Sequence, residues 1–229
     1  MKKLAFMFIA LVAILSVSAC RIEKVNNNEP AKSFTLNFKD FQSIKNFSNC
    51  DIHFTQSNTY KVVLKATPQW YDAHTITANN GELVITQKEE KKQKGITVLK
   101  FNNISSGAEL WISAPSLIAL STAGSGDFYA ENDITGKSLE LSIAGSGDSK
   151  LKNVTLTGDF EYVVAGSGDI ETGRLQARNA SFSISGSGDV KSKLTQVKVT
   201  KLTIAGSSDG TLDFDHCGYA GISISGSGE

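Results

Sequence analysis

Apolar and small polar residues alternate from residue 118 onward in a pattern that restarts about every twenty residues. Leu120, Leu141, Tyr162, Phe182, Leu202 and Ile222 form one series, and two positions later stand Thr122, Ile143, Val164, Ile184, Ile204 and Ile224. Between the two series lie Ser142, Val163, Ser183, Thr203 and Ser223, mostly small or hydroxylic. Period-2 alternation rich in β-branched and aromatic residues predicts half-buried strands. Each strand runs into one short phrase: AGSGD from Ala123, Ala144 and Ala165, SGSGD from Ser185, AGSSD from Ala205 and SGSGE from Ser225. The first glycines, Gly124, Gly145, Gly166, Gly186, Gly206 and Gly226, follow one another at steps of 21, 21, 20, 20 and 20. Glycine permits positive φ in such a turn, and the aspartate is expected to bond the turn's own backbone.

A hairpin ladder would put identical phrases at opposite ends of neighbouring strands. Here every strand leads into the same turn, so one coil per repeat must stack like residues on like, about 4.8 Å apart. The predicted fold is all-β: a right-handed, single-stranded parallel β-helix (a β-solenoid) with coils of about 20 residues, its hand following from strand twist and crossover preference. The second half of each coil is less regular, with Leu151, Val154 and Leu156, then Leu175, then Leu194 and Val197, then Leu212 and Phe214. A shorter second strand and a variable loop are expected there.

Upstream, alternation is weaker but present in Phe34–Phe38, Ile52–Thr55, Tyr60–Lys65 and Leu110–Ser113. Asn79-Asn80-Gly81 is a turn signal before Glu82–Thr86. No helical period of useful length occurs. Residues 33–115 therefore read as a β-rich N-terminal section that caps the first coil and hides its sheet edge, with the repeat coils at 116–229.

The start of the chain has another character. Lys2 and Lys3, an apolar run from Leu4 to Val17, and Val17-Ser18-Ala19-Cys20 predict a signal peptide over 1–19, with a site resembling the bacterial lipobox. That resemblance implies lipid attachment at Cys20 and a membrane partner reached through the anchor, with no spanning helix. Residues 20–32 read as a flexible tether. The expected location is the bacterial cell envelope, lipid-anchored at the outer membrane, periplasmic or surface-exposed. Lys+Arg and Asp+Glu both number 23, so no nucleic-acid surface is expected, and the mixed run from Lys88 to Lys94 reads as a solvated loop. Cys50 and Cys217 lie at opposite ends of the predicted stack, which favours two separate buried thiols.

The sharpest candidate site is an acidic column, Asp127, Asp148, Asp169, Asp189 and Asp209, with Glu229 next in the series. Two readings stand. The aspartates cap turns, or they form a ligand or cation face, Ca²⁺ being the ion that repeated glycine–aspartate phrases suggest, with carbonyls and water completing its shell. Catalysis by the column is disfavoured because equivalent carboxylates share one environment, whereas an acid and a base need different ones. No nucleophile elbow, dinucleotide fingerprint or phosphate loop is present. His53, His74 and His216 are scattered, His216-Cys217 adjacent in an expected strand. Trp70, Tyr71 and Trp111 offer rings for a sugar, although packing in core or cap is the commoner use.

Three stretches carry a family resemblance: Asn49-Cys50-Asp51-Ile52-His53-Phe54-Thr55-Gln56, Asn80-Gly81-Glu82-Leu83-Val84-Ile85, and Leu110–Leu117 leading into the first Gly-Ser-Gly-Asp. The chain resembles the auto-transporter adhesin family with a head GIN domain, exported proteins of Bacteroidetes, over about Ser33 to Glu229. The resemblance implies an exported β-helical domain and an adhesion role, without substrate or site residues. The expected function is a non-catalytic envelope module presenting a repetitive face to a glycan, polymer or surface protein. A polysaccharide-active enzyme and a self-assembling structural protein, associating through the last coil around Ile222 and Ile224, are the alternatives.

Overall fold

The computed structural model describes residues 29–88 and 107–227. The signal segment, Cys20, the tether up to Asn28, the run Glu89–Lys94 and Glu229 lie outside the described residues. In chain order the elements begin with β1 (Lys32–Leu36), β2 (Ser43–Phe47), β3 (Asp51–Gln56), β4 (Lys61–Ala66) and the short helix α1 (Pro68–Ala73). Next come β5 (His74–Asn79), β6 (Glu82–Gln87), β7 (Glu109–Ala114), β8 (Ala119–Gly124), β9 (Phe128–Ala130) and β10 (Ile134–Gly136). The repeats continue as β11 (Leu139–Gly145), β12 (Ser149–Leu151), β13 (Val154–Leu156), β14 (Asp159–Gly166) and β15 (Ile170–Gln176). Last are β16 (Asn179–Gly186), β17 (Val190–Thr195), β18 (Val199–Gly206), β19 (Gly210–Asp215) and β20 (Tyr219–Gly226).

These strands form a parallel β-solenoid with two sheets. The strands entering the Gly-Ser phrase line up as β20-β18-β16-β14-β11-β8, continuing into β2, β6 and β5. Those leaving it belong to an eleven-stranded sheet that includes β9, β12, β15, β17 and β19. Like residues sit on like: Ile143 pairs with Thr122 and Val164, and Ile184 with Val164 and Ile204. The two apolar series both point inward, with Leu120, Leu141, Tyr162, Phe182 and Leu202 at 3% exposure or less. They face Ile52, Phe128, Ile170 and Val190 of the other sheet, all buried. Burial of each such side chain contributes about 1.5–3 kcal/mol, which makes the axial core the main source of stability. The second strands are shorter than the first, as expected: three residues in β9 and β12 against six and seven in β8 and β11, and seven in β15 against eight in β14.

Parallel stacking reaches beyond the repeats. β2 lies parallel between β6 and β8, and β3 parallel between β7 and β9. The segment Ser48-Asn49-Cys50-Asp51 is therefore an additional corner beneath Gly124-Ser125-Gly126-Asp127, although its sequence shares only the aspartate. The alternation ends in antiparallel strands: β5 on β6, and β1 on β4 on β7. Asn80 and Gly81, with φ of 51° and 79°, make the β5–β6 turn as a primed two-residue hairpin requires. The sequence pattern gave no helix, yet α1 forms. Thr67 caps it by accepting from the Trp70 N–H at 3.2 Å, and Pro68 supplies the preset φ of a first turn. Its purpose is to bury Trp70, whose indole N–H donates to Asn49 Oδ1 at 3.1 Å. At the other end Tyr219, Ile222 and Ile224 of β20 are 72%, 58% and 42% exposed. Among the described residues no helix is long and apolar enough to cross a membrane.

The corner glycines set the distance between coils. A Cβ on Gly166 would lie 1.9 Å from the Gly145 carbonyl oxygen, and Gly145, Gly186 and Gly206 are equally closed at 1.9–2.0 Å. Gly166 also has a φ of +147°, which L side chains rarely adopt. Gly166→Ala is expected to destabilise the chain by about 3 kcal/mol or more, read as a shift in the urea unfolding midpoint. Gly136→Ala, whose new methyl would meet only Leu156 Cδ2 at 3.8 Å, should stay within about 0.5 kcal/mol of the parent.

Candidate functional site

The predicted aspartate column forms, with a use the sequence did not reveal. Each carboxylate accepts the backbone N–H of the aspartate one coil further on. Asp148 N–H donates to Asp127 Oδ1 at 2.9 Å, Asp169 to Asp148 at 3.0 Å, Asp189 to Asp169 at 2.7 Å and Asp209 to Asp189 at 2.8 Å. The expected bond to the turn's own backbone is replaced by one between coils, because like-on-like stacking sets each N–H beside the carboxylate of the coil before it. The ladder starts earlier than the repeat: Asp127 N–H donates to Asp51 Oδ1 at 2.9 Å, across 76 residues of chain. Unit charges one strand spacing apart repel by about 1 kcal/mol in water, and these N–H dipoles offset that repulsion. Among the described residues no group of three His, Cys, Asp or Glu side chains is placed to hold a metal ion.

Beside the ladder, the outer face of the eleven-stranded sheet carries a column that is aromatic for three coils. In register along it stand Trp111, His53, Tyr129, Lys150, Glu171, Lys191 and Thr211. The His53 ring lies between its neighbours, 3.9 Å from Trp111 at 6° and 4.9 Å from Tyr129 at 14°. Polar contacts fix all three rings. Trp111 Nε1 donates to Glu109 Oε2 at 3.2 Å, His53 Nδ1 meets Glu131 Oε1 at 2.7 Å, and Tyr129 Oη donates to Asp127 Oδ2 at 2.8 Å. Bonding to Asp127, with some burial, leaves the Tyr129 phenol pushed up to about 12. Burial pushes the Glu109 carboxyl up, but the Trp111 and Lys65 hydrogen bonds outweigh it and hold the group below its usual value. Trp111 stays 42% exposed on this face, contrary to packing in core or cap.

Next to Tyr129 the repeat loses its regularity. The second strand is split in two successive coils, into β9 and β10 and into β12 and β13. The pairing offset is 21 residues at Phe128–Ser149 but 20 at Ile134–Val154, and the β15–β17 register shifts between Glu171 and Arg174. These breaks open a groove of about 470 Å³ lined by Tyr129, Glu131, Asp133, Lys150, Lys152 and Asn153. Asn153 Nδ2 donates to both oxygens of Asp133, and Asn153 Oδ1 accepts the Arg174 N–H at 3.0 Å. The wall is thus held rigidly although it departs from the sheet ladder.

A family model described as "Putative auto-transporter adhesin, head GIN domain" matches residues 40–229. The chain belongs to this family. A crystal structure of a "putative adhesin" from Bacteroides fragilis NCTC 9343 is similar at TM-score 0.60 and 19% identity, over 88% of this chain and 96% of that one. A "putative adhesin" from Parabacteroides distasonis ATCC 8503 gives 0.59 at 17%, over 86% and 98%. Another from Parabacteroides merdae ATCC 43184 gives 0.56 at 17%, over 88% and 95%. At these identities the likeness is one of fold. No curated protein matches the chain.

Within this adhesin-family fold the other expected residues are dispersed. His74 is buried, stacked on Trp70 at 3.8 Å, and burial holds its pKa below the usual value. His216 and Cys217 lie beyond β19, in a turn and not a strand, and His216 has a φ of 54°. Both remaining cysteines are free, but only Cys50 is buried, because Cys217 sits in a peripheral coil that is half open. The Trp111–His53–Tyr129 stack has no signature in the sequence. Alternation marks each residue as outward-facing, yet nothing local shows that three distant strands become neighbours.

Asp148→Ala should lower stability by about 1–2 kcal/mol by leaving the Asp169 N–H without its acceptor. Asp148→Asn keeps an oxygen there and should stay within about 0.5 kcal/mol, both read by urea denaturation. Asp51 adds a pH dependence. Burial raises its carboxyl above the ordinary 3.8, against the lowering effect of the Asp127 N–H. The folded chain therefore keeps this proton after the unfolded chain has released it. The contribution to stability is present at low pH and lost as pH rises from about 4 through the raised value. Asp51→Asn, which retains the acceptor, should gain on the parent as pH rises above about 4 in calorimetric unfolding.

Proposed function

We propose that the chain is an envelope adhesion module that acts by binding and not by catalysis, through the outer face of the eleven-stranded sheet. The observation that carries this reading is the Trp111–His53–Tyr129 stack. It places large aromatic side chains on a solvent-facing sheet surface and fixes each by a hydrogen bond. Such rigid, amphipathic rings are what binding hot spots are built from, since little side-chain freedom is lost on contact. Membership of the adhesin family supports the adhesive role. The like surroundings of the repeat carboxylates from Asp127 onward support a binding role over catalysis, because an acid and a base need different ones. The lipobox-like Val17-Ser18-Ala19-Cys20 supports lipid anchoring at the outer membrane as part of the same reading.

The test coats beads with the full chain and passes them over surfaces bearing mucin, bacterial polysaccharide or collagen. Retention on at least one surface is expected. Trp111→Ala should weaken it at least about tenfold, or 1.4 kcal/mol, with an unchanged unfolding midpoint. Retention on none of the surfaces overturns the adhesive role, and equal retention by Trp111→Ala overturns the placing of the face.

A further inference from the structure

We propose that the groove beside Tyr129 is a subsite for a neutral pyranose sugar. The proposal rests on the adhesive reading and names the chemistry that part of the face would take. Tyr129 is the last ring of the aromatic column. One side of it is covered by His53 at 4.9 Å, and the other borders the groove, where the next residue in register is Lys150. A flat ring entering the groove meets Tyr129 from the side away from His53, and the C–H face of a pyranose gives an aromatic ring an apolar partner. The volume of about 470 Å³ lies within the range of small-molecule sites.

The polar groups at the rim match a hydroxyl-rich ligand of no net charge. Glu131, Asp133 and Glu171 are acceptors already fixed in place by His53, Asn153 and Lys191. Carboxylates have about four lone-pair sites each, so they can still accept from sugar hydroxyls. Lys150 and Lys152 are exposed, and their ammonium groups make no hydrogen bond or close ion pair with another described residue, Lys150 acting on Glu171 only at longer range, so both are placed to donate. Three carboxylates and two ammonium groups share one small groove, so an anionic or a cationic ligand would meet like charge as well as opposite charge. A neutral polyhydroxyl ring avoids that repulsion and uses both kinds of group. The site also differs from the rest of the described column. Further on, the same column holds Lys191 and Thr211, the second strands are unbroken, and no ring stands at this position.

The experiment is a ¹H–¹⁵N NMR titration of the full chain with neutral trisaccharides (cellotriose, mannotriose, xylotriose, chitotriose) and with trigalacturonate. Binding by at least one neutral sugar at millimolar concentration is expected, with shifts confined to amides of residues 129–133, 150–153 and 171–173. Tyr129→Ala should weaken it at least about tenfold, while Tyr129→Phe, which keeps the ring, should bind within about threefold of the parent. Lys152→Ala, an exposed change without structural contacts, should weaken binding a few-fold and serves if Tyr129→Ala loses its fold. Silence from every neutral sugar overturns the proposal, as does binding by trigalacturonate alone or undiminished binding by Tyr129→Ala. Bead retention that persists without any sugar response sinks this subsite and leaves the adhesive reading standing, whereas loss of retention sinks both.

Discussion

The closeness of one coil to the next at the glycine corner governs this structure. At Gly145, Gly166, Gly186 and Gly206 the carbonyl oxygen of the preceding coil occupies the place a side chain would need. The following serine N–H bonds the same oxygen, as Ser167 does with Gly145 and Ser187 with Gly166, both at 2.9 Å. A corner pinned in this way has a single register. Ile143 then sits over Thr122, Phe182 over Tyr162, and the core becomes a set of continuous columns without a separate device to align each strand. The same pinning brings each aspartate N–H to the carboxylate of the coil before it. The ladder of like charges is thus a consequence of the corner, and the dipoles that offset its repulsion arise from the same stacking.

The corner admits side chains at only a few of its glycine positions. Ser48 and Cys50 occupy the two glycine positions in the earliest Asp-bearing corner. Side chains do there what glycine does elsewhere: Asn46 Nδ2 donates to the Cys50 carbonyl at 2.7 Å, and Ser48 Oγ to Asn46 Oδ1 at 2.6 Å. Ser208, in the fifth repeat phrase, is fully buried and turns its hydroxyl to the Gly186 carbonyl at 3.2 Å. One polar contact compensates for the crowding its Cβ introduces.

Repetition also limits what the surface can do. A face on which every coil presents the same groups in the same surroundings cannot distinguish one position from another, and the ladder carboxylates are already engaged with backbone N–H groups. Chemical individuality appears where the period fails. Trp111, His53 and Tyr129 come from coils on either side of the first Gly-Ser-Gly-Asp, and the groove opens where two second strands break. The adhesive reading and the sugar subsite both depend on these departures. Regular coils contribute the rigid backing that holds the rings in position.

The sequence by itself determined the repeat coils, because the constraints there are local and recur. Alternation fixes which side chains turn inward, and a glycine at a constant interval fixes where the chain must turn. It also marked Asp127, Asp148, Asp169, Asp189 and Asp209 as one column. It did not reveal Asp51 as the start of that column, since 76 residues separate it from Asp127 and its own corner lacks glycine. Nor did it show α1, six residues long and stabilised by the burial of one tryptophan more than by any helical period. The aromatic stack was decided by tertiary structure alone. His53 lies between Trp111 and Tyr129 because β3 is inserted between β7 and β9, an order that the linear chain does not follow. Local pattern states which face a residue occupies, and only the stacking order of the coils states what stands beside it.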